Sequence, residues 1–139
     1  MKRYMLDTNT VSHLIRLHPL VTQRLLSLPM NQVCISAVVE GELMFGVAKR
    51  PEAKRLATTV SEFLLRVDVL PWDSDVAKVY GTLRASAQSM GVSLEPLDMM
   101  IAAHAKSHGA ILVTNDAAFG KLDAVFGKLR MIEVEDWTQ

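Results

Sequence analysis

The chain has 139 residues, of which 50% are hydrophobic and 22% are charged, with 15 basic and 15 acidic side chains. This length and balance predict one globular domain over residues 1–139 and exclude a disordered chain. A single cysteine excludes an intrachain disulfide and a thiolate metal cluster. No apolar run reaches the ~20 residues that span a bilayer. We therefore expect a cytoplasmic protein without a membrane partner.

Short apolar runs alternate with longer helical segments along the chain. The runs of strand length are RYML (3–6), VCIS (33–36), VDVL (67–70), AILVT (110–114) and RMIEV (130–134). Between them, Pro19 and Pro96 suit first helical turns, Asp73 suits a cap, and Gly91 and Gly109 suit helix ends. This alternation predicts an α/β fold with βαβ units, in which helices cover a mostly parallel sheet of about five strands.

Four carboxylates stand in surroundings that are otherwise apolar. Asp7 and Asp116 each follow a predicted strand directly. Asp98 lies in the first turn of the helix PLDMMIAAHA, and Glu42 lies in the helix AVVEGELMFGVA. Burying an unpaired carboxylate is costly, and few basic residues are near these acids in the sequence. Together the four acids indicate a site in which they share a cation.

The predicted topology brings these acids to one edge of the sheet. Open α/β sheets bind their ligands at the carboxyl ends of the strands. If the first and fourth strands are neighbours, Asp7 and Asp116 meet there, and the helices of Glu42 and Asp98 begin at the same edge. Ligands that are all oxygen suit hard cations, so we expect Mg²⁺, with Mn²⁺ also suitable.

Each acid also has a purely structural interpretation. Asp7 can cap the next helix, and Asp116 can be a turn residue. Asp98 stands at the positive end of its helix dipole, which stabilises a carboxylate by about 0.3–1 kcal/mol and should keep it ionised. Glu40 competes with Glu42, because the two point in nearly opposite directions on a helix and the surrounding apolar residues do not choose between them.

Histidine and methionine residues in these segments are expected to be structural. His104 is on the helix of Asp98 but is rotated from it by about 120°, so we expect it to pack against a neighbour. Methionine is most often a core residue, which is the expectation for Met44, Met90, Met99 and Met100.

Four stretches together resemble the PIN-domain ribonucleases, and within them the VapC toxins of bacterial toxin–antitoxin pairs. They are MLDTNTVSHL (5–14), CISAVVEGELMFGV (34–47), PLDMMIAAHA (96–105) and ILVTNDAAF (111–119), and the closing IEVEDW is similar too. The resemblance covers essentially the whole chain. It implies a single PIN-like domain over residues 1–139, folded as an α/β/α sandwich.

The resemblance also implies which residues form the site. The family glutamate stands in a Glu-Leu-x-x-Gly pattern, which matches Glu42 and leaves Glu40 as a bystander. The implied catalytic and metal-binding acids are Asp7, Glu42, Asp98 and Asp116, and the implied supporting residues are Asn9, Thr114 and Asn115. Val39 stands where many members carry a threonine, so any help from that hydroxyl in orienting water or phosphate is missing here.

The activity implied by the resemblance is Mg²⁺-dependent cleavage of RNA, often transfer RNA, by a metal-activated water. The family also implies a homodimer and a complex with a small VapB-like antitoxin. A basic cluster, KRPEAKR, supplies Lys49, Arg50, Lys54 and Arg55 as candidate RNA-binding residues. The zero net charge argues against a general nucleic-acid binder, and a solvated helix junction is the alternative interpretation of this cluster.

Two other functions share parts of the pattern. Haloacid dehalogenase-type phosphatases use Asp-x-Asp-x-Thr after their first strand, but DTNT places Asn9 where the second aspartate belongs. A non-catalytic regulatory pocket, as in receiver-like α/β domains, needs an aspartate beyond a middle strand. Asp68 is the nearest candidate, but it lies inside the predicted strand 67–70.

Overall fold

Five short strands form one sheet in which each neighbouring pair is parallel. The structure is a computed structural model that describes residues 2–126 and 132–139. The strands are β1 (Tyr4–Leu6), β2 (Val33–Ser36), β3 (Asp68–Leu70), β4 (Ile111–Val113) and β5 (Glu133–Glu135). Their order across the sheet is β3-β2-β1-β4-β5, which confirms the predicted contact between the first and fourth strands.

The predicted strand positions agree with the structure in the first four cases. The fifth prediction, over 130–134, begins at residues 130 and 131, which lie outside the described part of the chain. Its strand runs over Glu133–Glu135, where Leu112 pairs with Val134. The central strands are buried on both faces, since every residue of β2 and β4 is buried and Met5 and Leu6 are fully buried. Burial on both faces is typical of a parallel sheet under helices.

Seven α-helices occur in the described residues and cover the sheet. They are α1 (Thr8–Ile15), α2 (Pro19–Leu26), α3 (Ala37–Ala48), α4 (Lys54–Arg66), α5 (Ser74–Ser89), α6 (Pro96–Ser107) and α7 (Ala117–Phe126). The chain moves outward from β1 through β2 to β3 and then returns to the other side at β4. With right-handed crossovers, this reversal places helices on both faces and gives the α/β/α sandwich.

The helix boundaries follow the sequence signals. The Asp73 carboxylate caps α5 by accepting a hydrogen bond from the backbone N–H of Val76 at 3.1 Å. Helix α6 starts at Pro96, and Gly109 follows its end with φ of +61°, a left-handed conformation that suits glycine. This turn leads directly into β4, so α6 runs back along the sheet. Its first turn therefore lies toward the carboxyl edge.

The expectation that the methionines fill the core is wrong for two of the four. Met99 is buried, but Met44 is 50% exposed and Met90 is 47% exposed. Helix α3 is apolar on nearly all sides, yet Phe45 is 65% exposed beside Met44. One face of α3 packs on the core, and the opposite apolar face lies at the surface. Within the described residues, the helices are all too short or too polar to cross a membrane.

Candidate active site

Asp7 joins the end of β1 to the start of α1. Its backbone N–H donates to the carbonyl of Val113 at 3.0 Å, which extends the pairing of β1 with β4. Its Oδ1 accepts from the backbone N–H of Thr10 at 2.8 Å, so the predicted cap is confirmed. The side chain is only 4% exposed. Burial raises the pKa of Asp7, while hydrogen bonds from Thr114 and Thr10 lower it, and the negative charge of Asp116 raises it further.

Three polar residues, Thr114, Asn115 and Asp116, follow β4 directly, and Thr114 and Asp116 act on Asp7. The Thr114 hydroxyl accepts a hydrogen bond from the backbone N–H of Asp116 at 3.0 Å and also interacts with the Asp7 carboxylate. Asp116 accepts from the backbone N–H of Ala118 at 2.9 Å, so it fixes the first turn of α7. Asn115 is exposed, and its Nδ2 lies 3.2 Å from His13 Nε2. The prediction that Asp7 and Asp116 meet at one sheet edge is confirmed.

Glu42 reaches this edge from α3. Its Oε1 accepts a hydrogen bond from the Thr8 hydroxyl at 2.8 Å, and Thr8 is the residue directly after Asp7. The carboxylate is half-buried, and its charge acts on Asp98. Glu40 is not among the groups that act on Asp98, so the structure places Glu42, rather than Glu40, toward the other acids.

Asp98 completes the set from the first turn of α6. Burial raises the pKa of Asp98 from 3.8 to about 6, and the negative charges of Asp116, Glu42 and Asp7 contribute in that order. Burial therefore works against the helix dipole at this carboxyl, although a pKa of about 6 still leaves it mostly ionised at pH 7. Burial and four like charges, the fourth being that of Glu95, outweigh a dipole that is worth only about 0.3–1 kcal/mol.

The four carboxylates form an uncompensated negative cluster. The ion pairs among the described residues are Lys2–Glu133, Arg3–Asp68 and Arg24–Glu135, and none includes a member of the cluster. The donor atoms of the cluster are all oxygens and carry surplus negative charge, and these are the ligands that a hard divalent cation prefers. However, no three acidic, histidine or cysteine side chains in the described part of the chain stand close enough to hold one ion together. To hold one ion together, the carboxylates would have to move closer to one another, which a bound cation favours because it offsets their mutual repulsion.

The raised pKa of Asp98 predicts a pH-dependent effect on stability. Asp98→Asn should raise the free energy of unfolding in EDTA at pH 8 by about 1 kcal/mol, after allowance for screening of a half-buried group. The folded pKa is about 6 and the unfolded value 3.8, so the gain should be full above pH 6 and should shrink toward zero as pH falls to 4. Urea unfolding of both proteins across this range measures it. A variant that is less stable at pH 8 would contradict the direction of the shift.

His104 is held inside the fold as predicted. Its Nδ1 lies 2.7 Å from Ser36 Oγ, and both residues are fully buried. Burial lowers the pKa of His104 to about 4, and the nearby His108 contributes, so the ring is neutral at pH 7. Ser36 also caps α3, which carries Glu42, whereas His104 is on α6 with Asp98. This buried bond therefore ties together the two helices that present acids to the site.

A cleft of about 480 Å³ lies beside Glu42, between α1, α3 and α4. Thr8 and Glu42 line it together with Phe45, and its cationic lining residues are Arg16, Lys49 and Arg50. Two of the predicted basic residues, Lys49 and Arg50, thus line the same cleft as Glu42. Lys54 and Arg55 are exposed at the start of α4, outside the cleft lining.

Sequence reasoning missed several residues of this region. Thr8, Arg16 and Phe45 carried no recognisable spacing, although Thr8 stands beside Asp7. Asn9 is exposed on the first turn of α1. Asp68, the acid considered for a receiver-like pocket, begins β3 at the opposite edge of the sheet and pairs with Arg3.

Comparison with known proteins agrees with this architecture. The PIN domain pattern matches residues 4–125. A protein of Shigella flexneri named tRNA(fMet)-specific endonuclease VapC is 33% identical over 138 residues, which cover 99% of this chain and all of that protein.

Solved structures give the same result. VapBC of Salmonella typhimurium, bound to DNA, is 34% identical with a TM-score of 0.83 over 99% of both chains. VapBC2 of Rickettsia felis, bound to a promoter DNA fragment, is 28% identical with a TM-score of 0.83 over 96% of this chain and 98% of that one. The chain therefore belongs to the PIN-domain family.

Proposed function

We propose that this chain is a metal-dependent endoribonuclease and the toxin of a toxin–antitoxin pair. The observation that carries the proposal is the acidic cluster at the carboxyl edge of the sheet: the charges of Asp7, Glu42 and Asp116 all act on Asp98, and Asp116 also acts on Asp7. Nearly full-length similarity to proteins named as ribonucleases and as a tRNA-specific endonuclease supports the same activity. Transfer RNA is the proposed substrate class.

In this proposal the four acids Asp7, Glu42, Asp98 and Asp116 hold the cation, with Mg²⁺ as the expected ion and Mn²⁺ as a substitute. The bound cation would supply activation of water and stabilisation of charge on the leaving oxygen. Thr114 and Thr8 position the carboxylates of Asp7 and Glu42 through their hydroxyl groups. Asn9 and Asn115 are exposed and lie close in the chain to Asp7 and Asp116, and we infer that they contact substrate.

The buried position of Val39 limits what the family threonine would do in this fold. Val39 is fully buried, so a side chain at this position contacts the core. We infer that its replacement by valine leaves the carboxylate cluster itself intact, because no hydrogen bond described for the four acids involves position 39.

The proposed partners follow from the solved relatives, which are VapBC complexes. We infer a VapB-like antitoxin that binds this chain, and a homodimer of the toxin. We also infer that residues 1–139 form one domain. Beyond the matched segment 4–125, β5 still pairs with β4, and Trp137 lies 5.6 Å from the ring of Tyr4.

Removal of divalent ions tests the proposed activity directly. Purified protein incubated with total tRNA and Mg²⁺ should produce discrete fragments, and EDTA should abolish them because the carboxylates without a cation do not activate the attacking water. Added Mg²⁺ in excess of EDTA should restore cleavage. Denaturing gels and end-labelling read out the products. Cleavage that persists at full rate in EDTA would overturn the metal-dependent proposal.

A further inference from the structure

We propose that Phe45 is a stacking platform for an unpaired base of the RNA substrate, on the cleft beside Glu42. This inference rests on the proposed ribonuclease function and adds to it a contact outside the acidic cluster. Phe45 is 65% exposed, although it belongs to a helix whose opposite face, with Val39 and Leu43, is buried in the core. The phenyl ring is therefore available to a ligand.

The position of Phe45 on α3 relates it to the acids. Glu42 and Phe45 are three residues apart and are neighbours on one helical face, and Lys49 follows one turn later. Gly46 lies between them on the cleft wall, and a Cβ added at Gly46 would meet no atom within 4 Å. The wall is thus open at its centre, with a carboxylate at one end and an aromatic ring with a cation at the other.

Charge in the cleft favours a nucleic-acid strand. Arg16, Lys49 and Arg50 all line it, and none of them belongs to an ion pair among the described residues. The Lys49 ammonium lies 5.1 Å from the centre of the Phe45 ring. Grooves that bind single-stranded nucleic acid combine such cations, which follow the phosphates, with aromatic rings on which bases stack.

The size of the cleft also suits this ligand. Its volume of about 480 Å³ falls within the range of pockets that hold a small molecule, and so it can take a nucleotide. With a base on Phe45 and a phosphate on Lys49, the strand would run past Gly46 toward Glu42. Because stacking does not read base edges, Phe45 should select for unpaired bases rather than for one particular base.

Three substitutions test the role of the ring. The wild-type chain of 139 residues is the reference. Phe45→Leu keeps an apolar side chain, and Phe45→Trp keeps a flat aromatic face. Leu65→Ala is the control. Leu65 is 86% exposed on α4 and does not line the cleft. A single-stranded RNA oligonucleotide containing 2-aminopurine is titrated in EDTA, and stacking is read as quenching of its fluorescence.

We expect Phe45→Leu to lose the quenching and to weaken RNA binding by about tenfold, within the range of aromatic stacking contributions. In Mg²⁺ the same variant should raise KM by a similar factor and leave kcat within about twofold, since the contact exists before and during cleavage. Phe45→Trp should restore both quenching and KM, and Leu65→Ala should resemble the wild type.

Two outcomes would overturn the inference. Phe45→Leu with unchanged quenching and KM would show that the ring does not contact RNA. A wild-type KM for both Phe45→Leu and Phe45→Trp, with the quenching lost in both, would show an apolar contact instead, as expected for a protein segment in the cleft. If the wild type cleaves RNA in either case, the proposed function stands and only the role of Phe45 fails. A wild type that cleaves no RNA overturns both.

Discussion

Asp7→Asn is expected to reduce RNA cleavage by at least about 100-fold while leaving the fold intact. Asparagine is as good an N-cap as aspartate, so its side-chain oxygen can still accept the hydrogen bond from the Thr10 backbone N–H. The substitution therefore removes the negative charge and little else. Because Asp7 is buried, no other side chain can readily replace that charge at the end of β1.

A matched control is available at another helix start. Asp73 caps α5 with the same geometry, accepting from the backbone N–H of Val76, and it does not act on the carboxylates of the site. Asp73→Asn should keep wild-type cleavage. Initial rates on tRNA and thermal unfolding are measured for both variants. If Asp7→Asn retains more than about a tenth of the wild-type rate, the charge of Asp7 is not needed for the proposed chemistry.

Glu42→Gln should have a comparably large effect, and Glu40→Gln should have almost none. The two residues are on the same helix, two positions apart, but only Glu42 bonds to Thr8 and acts on Asp98. Glutamine can still accept the Thr8 hydrogen bond at its oxygen, so Glu42→Gln chiefly removes the charge. We expect a loss of at least about 100-fold in kcat for Glu42→Gln and a change within twofold for Glu40→Gln.

Metal binding gives a second measurement for this pair. Calorimetric titration with Mn²⁺ should show weaker binding by Glu42→Gln and unchanged binding by Glu40→Gln, since only the first removes a carboxylate from the cluster. The reverse pattern, with Glu40→Gln inactive and Glu42→Gln active, would show that Glu40, rather than Glu42, is the glutamate of the site. Equal effects of both variants would point to α3 as a whole rather than to one carboxylate.

The choice between these glutamates marks a limit of local sequence information. Apolar residues surround both positions, so periodicity does not distinguish them, and the family pattern was needed to select Glu42. The structure makes the distinction through a hydrogen bond with Thr8 and a charge interaction with Asp98, which lie 34 and 56 residues away in the chain. Only tertiary contacts of that kind can separate two acids that are alike in their neighbours.

The exposed apolar face of α3 shows that local sequence information also fails to predict which side of a helix is buried. A helix that is apolar on nearly all sides predicts burial on all sides. Here Val39 and Leu43 pack in the core, while Met44 and Phe45 lie at the surface. How much of such a helix is buried depends on how many other helices and strands pack against it. The sequence of the helix alone does not specify that packing.

The sequence by itself determined the alternation of strands and helices, the caps at Asp7 and Asp73 and the start of α6 at Pro96. These features depend on backbone preferences and on hydrogen bonds between residues near in the chain. The tertiary structure alone decided the raised pKa of Asp98 and the buried bond between Ser36 and His104. Both arise where separate segments enclose a polar group, because desolvation and charge interactions depend on distance in space rather than on separation along the chain.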